Sequence, residues 1–184
     1  MKLVHGTEPA SPWVRRFAPQ VTSGEVLDLA CGYGRHAKLF AAMGRKVLAV
    51  DRDEAALATL AQQGIPTRHA DLESGDSWLF GPERFACIVV TNYLYRPLFP
   101  HIVDSLAPGG LLLIETFAQG NGQFGKPSNP DFLLAPGELL SLSPQLRIIA
   151  FEDGYIDLPR PALVQRICAV KLPLPQDCIS LKLN

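Results

Sequence analysis

The stretch richest in chemistry is Val26-Leu-Asp-Leu-Ala-Cys-Gly-Tyr-Gly-Arg-His-Ala37, an apolar run that passes through two glycines into a helix-forming segment. Gly32 and Gly34 let the backbone approach a ligand where any side chain would collide with it. Asp28 lies four positions before Gly32, still inside the apolar run. It is poorly placed for a pyrophosphate and well placed for an ammonium, held directly or through water. A second run ends in Leu48-Ala-Val-Asp51, seventeen residues beyond Gly34, and a third in Arg68-His-Ala-Asp71. A carboxylate at Asp51 can accept both hydroxyls of a ribose, and one at Asp71 can accept the exocyclic amine of an adenine. Each acid alone could as well cap a helix. Their joint spacing reads as amino acid, ribose and base.

Those acids need strands that end side by side. Short apolar runs alternate with helix-period segments from Gly24 to Val170, the pattern of a parallel sheet with helices on both faces. Seven strands are expected, over 26–30, 46–50, 67–70, 85–91, 110–116, 147–152 and 163–172. Only the turn-like segment 154–160 separates the last two, too short for a crossover helix, so they form an antiparallel hairpin. Helices fit 35–43, 53–63, 96–105 and 136–141, with Pro108-Gly109-Gly110 stopping the third. The predicted fold is a doubly wound, Rossmann-like α/β fold, mostly parallel, in one domain over 1–184. Residues 1–23 form an N-terminal cap segment, with Trp13 and Phe17 on one face of a short helix and Arg15 and Arg16 beside them. Residues 117–135 contain a Gly- and Pro-rich loop, a candidate lid.

The motifs Asp28-Leu-Ala-Cys-Gly-Tyr-Gly34, Asp51, Asp71 and Ala107-Pro-Gly-Gly110 resemble those of class I S-adenosylmethionine-dependent methyltransferases, over nearly the whole chain. The terminal hairpin matches that class, whose seventh strand is inserted antiparallel beside the fifth. The small size, Ser11-Pro-Trp13 and Glu115-Thr-Phe117 with its loop are similar to the small bacterial enzymes near the tellurite-resistance methyltransferases. The resemblance implies S-adenosyl-L-methionine as cofactor, contacted by Asp28, Ala30, Gly32, Tyr33, Gly34, Asp51, Arg52, Asp71, Leu72 and Asn92. The cap helix would fold over it, with Arg15 or Arg16 reaching its carboxylate. Gly32-x-Gly34-x-x-Ala37 followed by Asp51 also fits a dinucleotide fingerprint. Asp28, Asp71, the hairpin and the absence of length for a substrate domain oppose NAD.

Methyl transfer from a sulfonium gains from alignment and water exclusion, so no catalytic residue is obligatory. A neutral acceptor would need a base; an anionic one would not. Acceptor contacts are expected at the carboxyl edge of the fourth and fifth strands, from Tyr93, Tyr95, Arg96, Glu115 and, in the loop, Asn121, Phe124 and Asn129. Asn92-Tyr-Leu-Tyr95 departs from the Asp or Asn, two prolines and aromatic residue of enzymes that methylate amide or base nitrogens, which disfavours those acceptors. Cys31 lacks a His and acid pair that would make it a nucleophile. His36 and His69 read as solvated or helix-capping, and no metal site is expected.

Seventeen Lys and Arg against eighteen Asp and Glu give a net charge of −1. No basic field attracts nucleic acid or an anionic membrane, so a small-molecule acceptor is expected. Cys31, Cys87, Cys168 and Cys178 form no Cys-x-x-Cys pair and read as reduced thiols of a cytoplasmic protein. The N-terminus shows no signal-peptide run, and no apolar stretch is long enough for a bilayer. The other function class is a cofactor-binding sensor or a non-catalytic partner subunit; retention of all five motif residues weighs against it.

Overall fold

A computed structural model describes residues 8–174. Cys178 and the first seven residues of the cap segment lie outside that range.

Seven strands form one sheet in the order β3-β2-β1-β4-β5-β7-β6. They are β1 (Glu25–Leu29), β2 (Lys46–Asp51), β3 (Thr67–His69), β4 (Phe85–Thr91), β5 (Leu106–Phe117), β6 (Leu146–Ile156) and β7 (Ala162–Lys171). The first five pair in parallel, whereas β7 runs antiparallel to both β5 and β6. The expected fold class and hairpin are therefore both present. Strand order reverses between β1 and β4, the switch point outside whose carboxyl ends doubly wound sheets bind ligands.

The helices are α1 (Pro12–Phe17), α2 (Arg35–Ala42), α3 (Glu54–Gln62), α4 (Phe99–Ser105) and α5 (Glu138–Leu142). Because strand side chains alternate, each strand feeds both faces. Val26, Val47, Cys87, Val89 and Leu113 pack with α1, α2 and α3 through Phe17, Phe40 and Leu60. Leu27, Leu29, Ile88, Leu112 and Ile114 pack on the other face against Phe99, Ile102 and Leu139 of α4 and α5. That two-sided burial explains the near-continuous apolar runs.

Three boundaries differ from expectation. Arg96–Leu98 is a turn of 3-10 helix and α4 begins only at Phe99; Pro97 supplies no N–H, so it suits a first turn and not an interior. β5 starts at Leu106, with an irregular pairing to β4 that absorbs Pro108-Gly109-Gly110 before regular pairing resumes at Leu111. β6 runs on to Ile156, so the hairpin turn is shorter than 154–160.

Cys87 and Cys168 are buried and Cys31 is half-buried, all as free thiols. Burial pushes the Cys168 thiol up to about 12 and that of Cys31 higher still, which removes the thiolate a nucleophile would need. No helix among the described residues is long and apolar enough to cross a membrane.

Candidate active site

The glycine turn is built by backbone geometry. Ala30, Gly32 and Gly34 have φ of 54°, 53° and 68°. At Gly34, which caps α2, a Cβ would lie 2.6 Å from the Leu60 side chain, so glycine is required by both conformation and packing. Gly34 has no side chain to satisfy the first N–H groups of α2. Asp28 does this from β1, its carboxylate accepting from the Ala37 N–H at 2.8 Å. Only 1 % exposed, Asp28 lies beneath the turn and lines none of the cavities described below. Burial pushes its carboxyl up to about 7, against the lowering effects of the Ala37 hydrogen bond and Arg35.

Asp51 ends β2 with one carboxylate oxygen accepting from Gly32 N–H at 2.7 Å and the other from Asp53 N–H at 2.9 Å. The acid thereby holds the glycine turn against the second strand, and each oxygen keeps a further lone pair for a ligand. Asp53 caps α3 through Ala56 N–H at 3.0 Å. Asp71 accepts from Glu73 N–H at 3.0 Å.

Two adjoining cavities share Ala30, Asp51 and Asn92. The larger, about 390 Å³, is also bordered by Arg52, Asp71, Leu72, Tyr93 and Phe132. The smaller, about 230 Å³, is also bordered by Cys31, Gly32, Tyr33, Gly34 and Arg35. Nine of the expected cofactor residues thus meet in one cleft. Asn92 directly follows β4 with φ of 55°, while its N–H donates to the Glu115 carbonyl at 2.9 Å. Ala30 and Asn92, left-handed at the ends of the two switch-point strands, place backbone strain at the ligand cleft. The Tyr93 hydroxyl is buried there beside Glu73, and burial, with that acid, pushes its ionisation up.

A third cavity, about 500 Å³, shares Asn92 with both others and opens between the N-terminal segment and the β6–β7 hairpin. Glu115 borders it but is already engaged. It accepts from Ser11 Oγ at 3.0 Å and lies 2.7 Å from Arg166 Nε.

The packing places several of the expected contact residues away from the cleft. Arg16 borders none of these cavities: it lies over the Phe17 ring at 4.9 Å and 3.8 Å from Glu152 of β6. The arginine beside the glycine turn is Arg35, and Arg15 faces the third cavity. Arg96 borders none of these three cavities. It forks onto Glu138 and donates to the Asp131 and Leu133 carbonyls at 2.8 and 3.0 Å, pinning the loop over 119–135 to the end of β4. Phe124 is 41 % exposed and packs on Tyr155. Asn121 is buried, bonded to Pro127 carbonyl and Leu163 N–H. From that loop Pro127 and Phe132, which the sequence had not marked, reach the cleft. Tyr95 faces a separate cavity beside Trp78 and His101.

His36 is neither solvated nor a cap. It is 1 % exposed, accepts from Ser11 N–H at 3.1 Å, and has its other ring nitrogen 3.4 Å from Thr91 Oγ1. Burial pushes it down to about 3, so the ring is neutral. His69 is exposed beside the Arg52 carbonyl. No group of three metal-ligating side chains occurs among the described residues.

Comparison with known proteins agrees with this geometry. Residues 5–125 match the model of a family described as a methyltransferase domain. The chain belongs to that methyltransferase-domain family. Over 44 residues it is 48 % identical to a protein named as a probable S-adenosylmethionine-dependent methyltransferase of Mycobacterium tuberculosis. That match covers 24 % of this chain and spans 16 % of the relative's length. Among solved structures, TehB from Haemophilus influenzae superposes with a TM-score of 0.74 at 20 % identity, covering 94 % of this chain and 64 % of that one. An S-adenosylmethionine-dependent methyltransferase from Methanosarcina mazei gives 0.70 at 16 % identity, covering 91 % and 100 %. At such identities the structural likeness speaks for the fold.

Proposed function

We propose that this chain transfers the methyl group of S-adenosyl-L-methionine to a small-molecule acceptor. The observation that carries the reading is Asp51: one carboxylate, held by Gly32 and Asp53 N–H groups, stands in the wall common to both halves of the cleft. A nucleoside whose ribose meets Asp51 places its base toward Asp71 and Leu72, and its amino-acid arm toward Gly32, Gly34 and Arg35. At Gly32 a Cβ would meet no protein atom within 4 Å, so the space beside the turn is left to a ligand.

Asp28 favours this cofactor over a dinucleotide. Its carboxylate takes the Ala37 N–H at the start of α2, where a dinucleotide fold leaves the helix N-terminus for pyrophosphate. With that N–H already taken by a buried carboxyl, the start of α2 is a poor seat for a second anion.

When bound, S-adenosylmethionine supplies a methyl group on a positively charged sulfur, open to in-line attack. The chain's part is to align and to exclude water. Asn92 borders both the cofactor cleft and the third cavity, and an acceptor would approach past it. The loop over 119–135 closes the larger cavity with Pro127 and Phe132 and acts as its lid. Incubation with S-adenosylmethionine and a panel of small acids, thiols, amines and hydroxyl compounds, followed by mass spectrometry, tests the reading. S-adenosylhomocysteine formed in proportion to one methylated acceptor supports it; tight cofactor binding without turnover on any acceptor favours the sensor.

A further inference from the structure

The third cavity lies outside the nucleoside cleft, and its lining is chemically distinctive. Resting on the methyltransferase reading above, we propose that this cavity binds the methyl acceptor, and that the acceptor is a small apolar monocarboxylic acid taken as its carboxylate. Most of the wall is apolar: Pro9 and Pro12 on the N-terminal side, Phe117 at the base, and Ile156, Leu158 and Val164 from the hairpin. Leu158, 77 % exposed at the hairpin turn, stands free to cover an apolar body. A volume of about 500 Å³ suits a small organic molecule.

The charges decide the head group. Five charged side chains line the cavity: Glu8, Arg15, Arg35, Glu115 and Arg160. Glu115 is engaged by Arg166 and Ser11, and Glu8 lies 3.5 Å from Arg35. That leaves Arg15 on α1 and Arg160 beside β7, both lining the cavity, with no acidic partner among the described residues. Arg160 lies over the Phe117 ring at 5.5 Å, and Phe117 also borders the larger half of the cofactor cleft. One surplus cation therefore stands at the junction where transfer would occur. Two guanidinium groups above apolar walls recognise one carboxylate, and the walls give little to a second polar group, which would lose its hydration on entry.

Among the described residues both carboxylates of this lining are engaged, so neither stands free as a base. A carboxylic acid is ionised at neutral pH and needs none. Its oxygen forms a bond to the methyl carbon as the carbon–sulfur bond breaks; the electron pair goes to sulfur and the sulfonium charge is discharged. The products are a methyl ester and S-adenosylhomocysteine, and no proton moves.

The test uses octanoate, octanamide and octylamine as probes, titrated into protein saturated with S-adenosylhomocysteine. Octanoate is expected to bind at least tenfold more tightly than either of the others, with affinity rising roughly two- to fourfold per methylene from butanoate to octanoate. The double variant Arg15→Gln, Arg160→Gln is expected to lose at least tenfold in octanoate affinity while S-adenosylhomocysteine affinity changes less than twofold. Mass spectrometry should find methyl octanoate with the wild type. Equal binding of octanamide or octylamine, an unchanged double variant, or octanoate bound but never esterified overturns the proposal. Failure of S-adenosylhomocysteine to bind the wild type overturns the methyltransferase reading instead, and the three probes still report on the cavity alone.

Discussion

Ser11 and Glu115, separated by 104 positions in the chain, are joined by a 3.0 Å hydrogen bond from the Ser11 hydroxyl to the Glu115 carboxylate. The same hydroxyl accepts from Trp13 N–H at 3.1 Å and so caps α1, while the Ser11 N–H donates to His36. One serine therefore fastens the N-terminal segment to the end of β5 and to the start of α2. That docking forms one wall of the third cavity.

Ser11→Ala should lower stability by about 1–2 kcal/mol, through loss of the cap and of a buried hydrogen bond to a charged group. Urea unfolding measures the loss, and limited proteolysis should show earlier cutting before Trp13. Arg166→Met should cost more, about 3 kcal/mol, because it leaves the buried Glu115 carboxylate without its cation.

His36 and Asp28 give opposite pH dependences. The His36 ring, ionising near 6.5 when unfolded and near 3 when folded, contributes stability above 6.5 that is lost as pH falls toward 3. In His36→Gln that loss is absent, so the variant's deficit against wild type should shrink by up to about 1.4 kcal/mol per pH unit across the window. Unfolding at pH 4, 5, 6 and 7 reads it.

Asp28 ionises near 3.8 unfolded and about 7 folded. Its burial costs nothing below 3.8, and the penalty grows as pH rises to about 7. Asp28→Asn keeps an acceptor for Ala37 N–H and removes the titration. Relative to wild type, the variant should gain a few kcal/mol between pH 4 and pH 8 while losing affinity for the cofactor.

Arg96→Met should free the loop over 119–135 at a cost of about 1–2 kcal/mol, since its fork onto Glu138 is partly exposed. Arg96 also holds the Glu138 carboxyl below its ordinary range, and that lowering should vanish in the variant. Hydrogen exchange at Leu134 and Gln119, whose N–H groups bond to the Phe117 and Leu134 carbonyls, reports the release.

What the sequence made legible was what lies close together along it. Short, near-continuous apolar runs exposed the strands, and Asp51 and Asp71 followed from strand ends. Arg15 and Arg16 were harder: consecutive helical residues point about 100° apart, and only docking of Trp13 and Phe17 against the sheet turns Arg15 to the cavity and Arg16 to Glu152. Arg96 looked like an acceptor contact because its partner Glu138 lies 42 residues away. His36 looked solvated because nothing local reveals that Ser11 covers it. Asp28 was read as facing the ligand, whereas a glycine cap creates a need for a carboxylate beneath the helix.

Asp51 is expected to receive the ribose of an adenosyl amino acid. Calorimetric titration of wild type and Asp51→Ala with S-adenosylhomocysteine, in parallel with NAD, tests it most directly. Wild type should bind S-adenosylhomocysteine and not NAD, and Asp51→Ala should lose about 2 kcal/mol of that binding, as removal of paired hydrogen bonds to a charged group requires. Binding of NAD in its place, or equal S-adenosylhomocysteine affinity in the two proteins, would rule out Asp51 as the ribose acceptor.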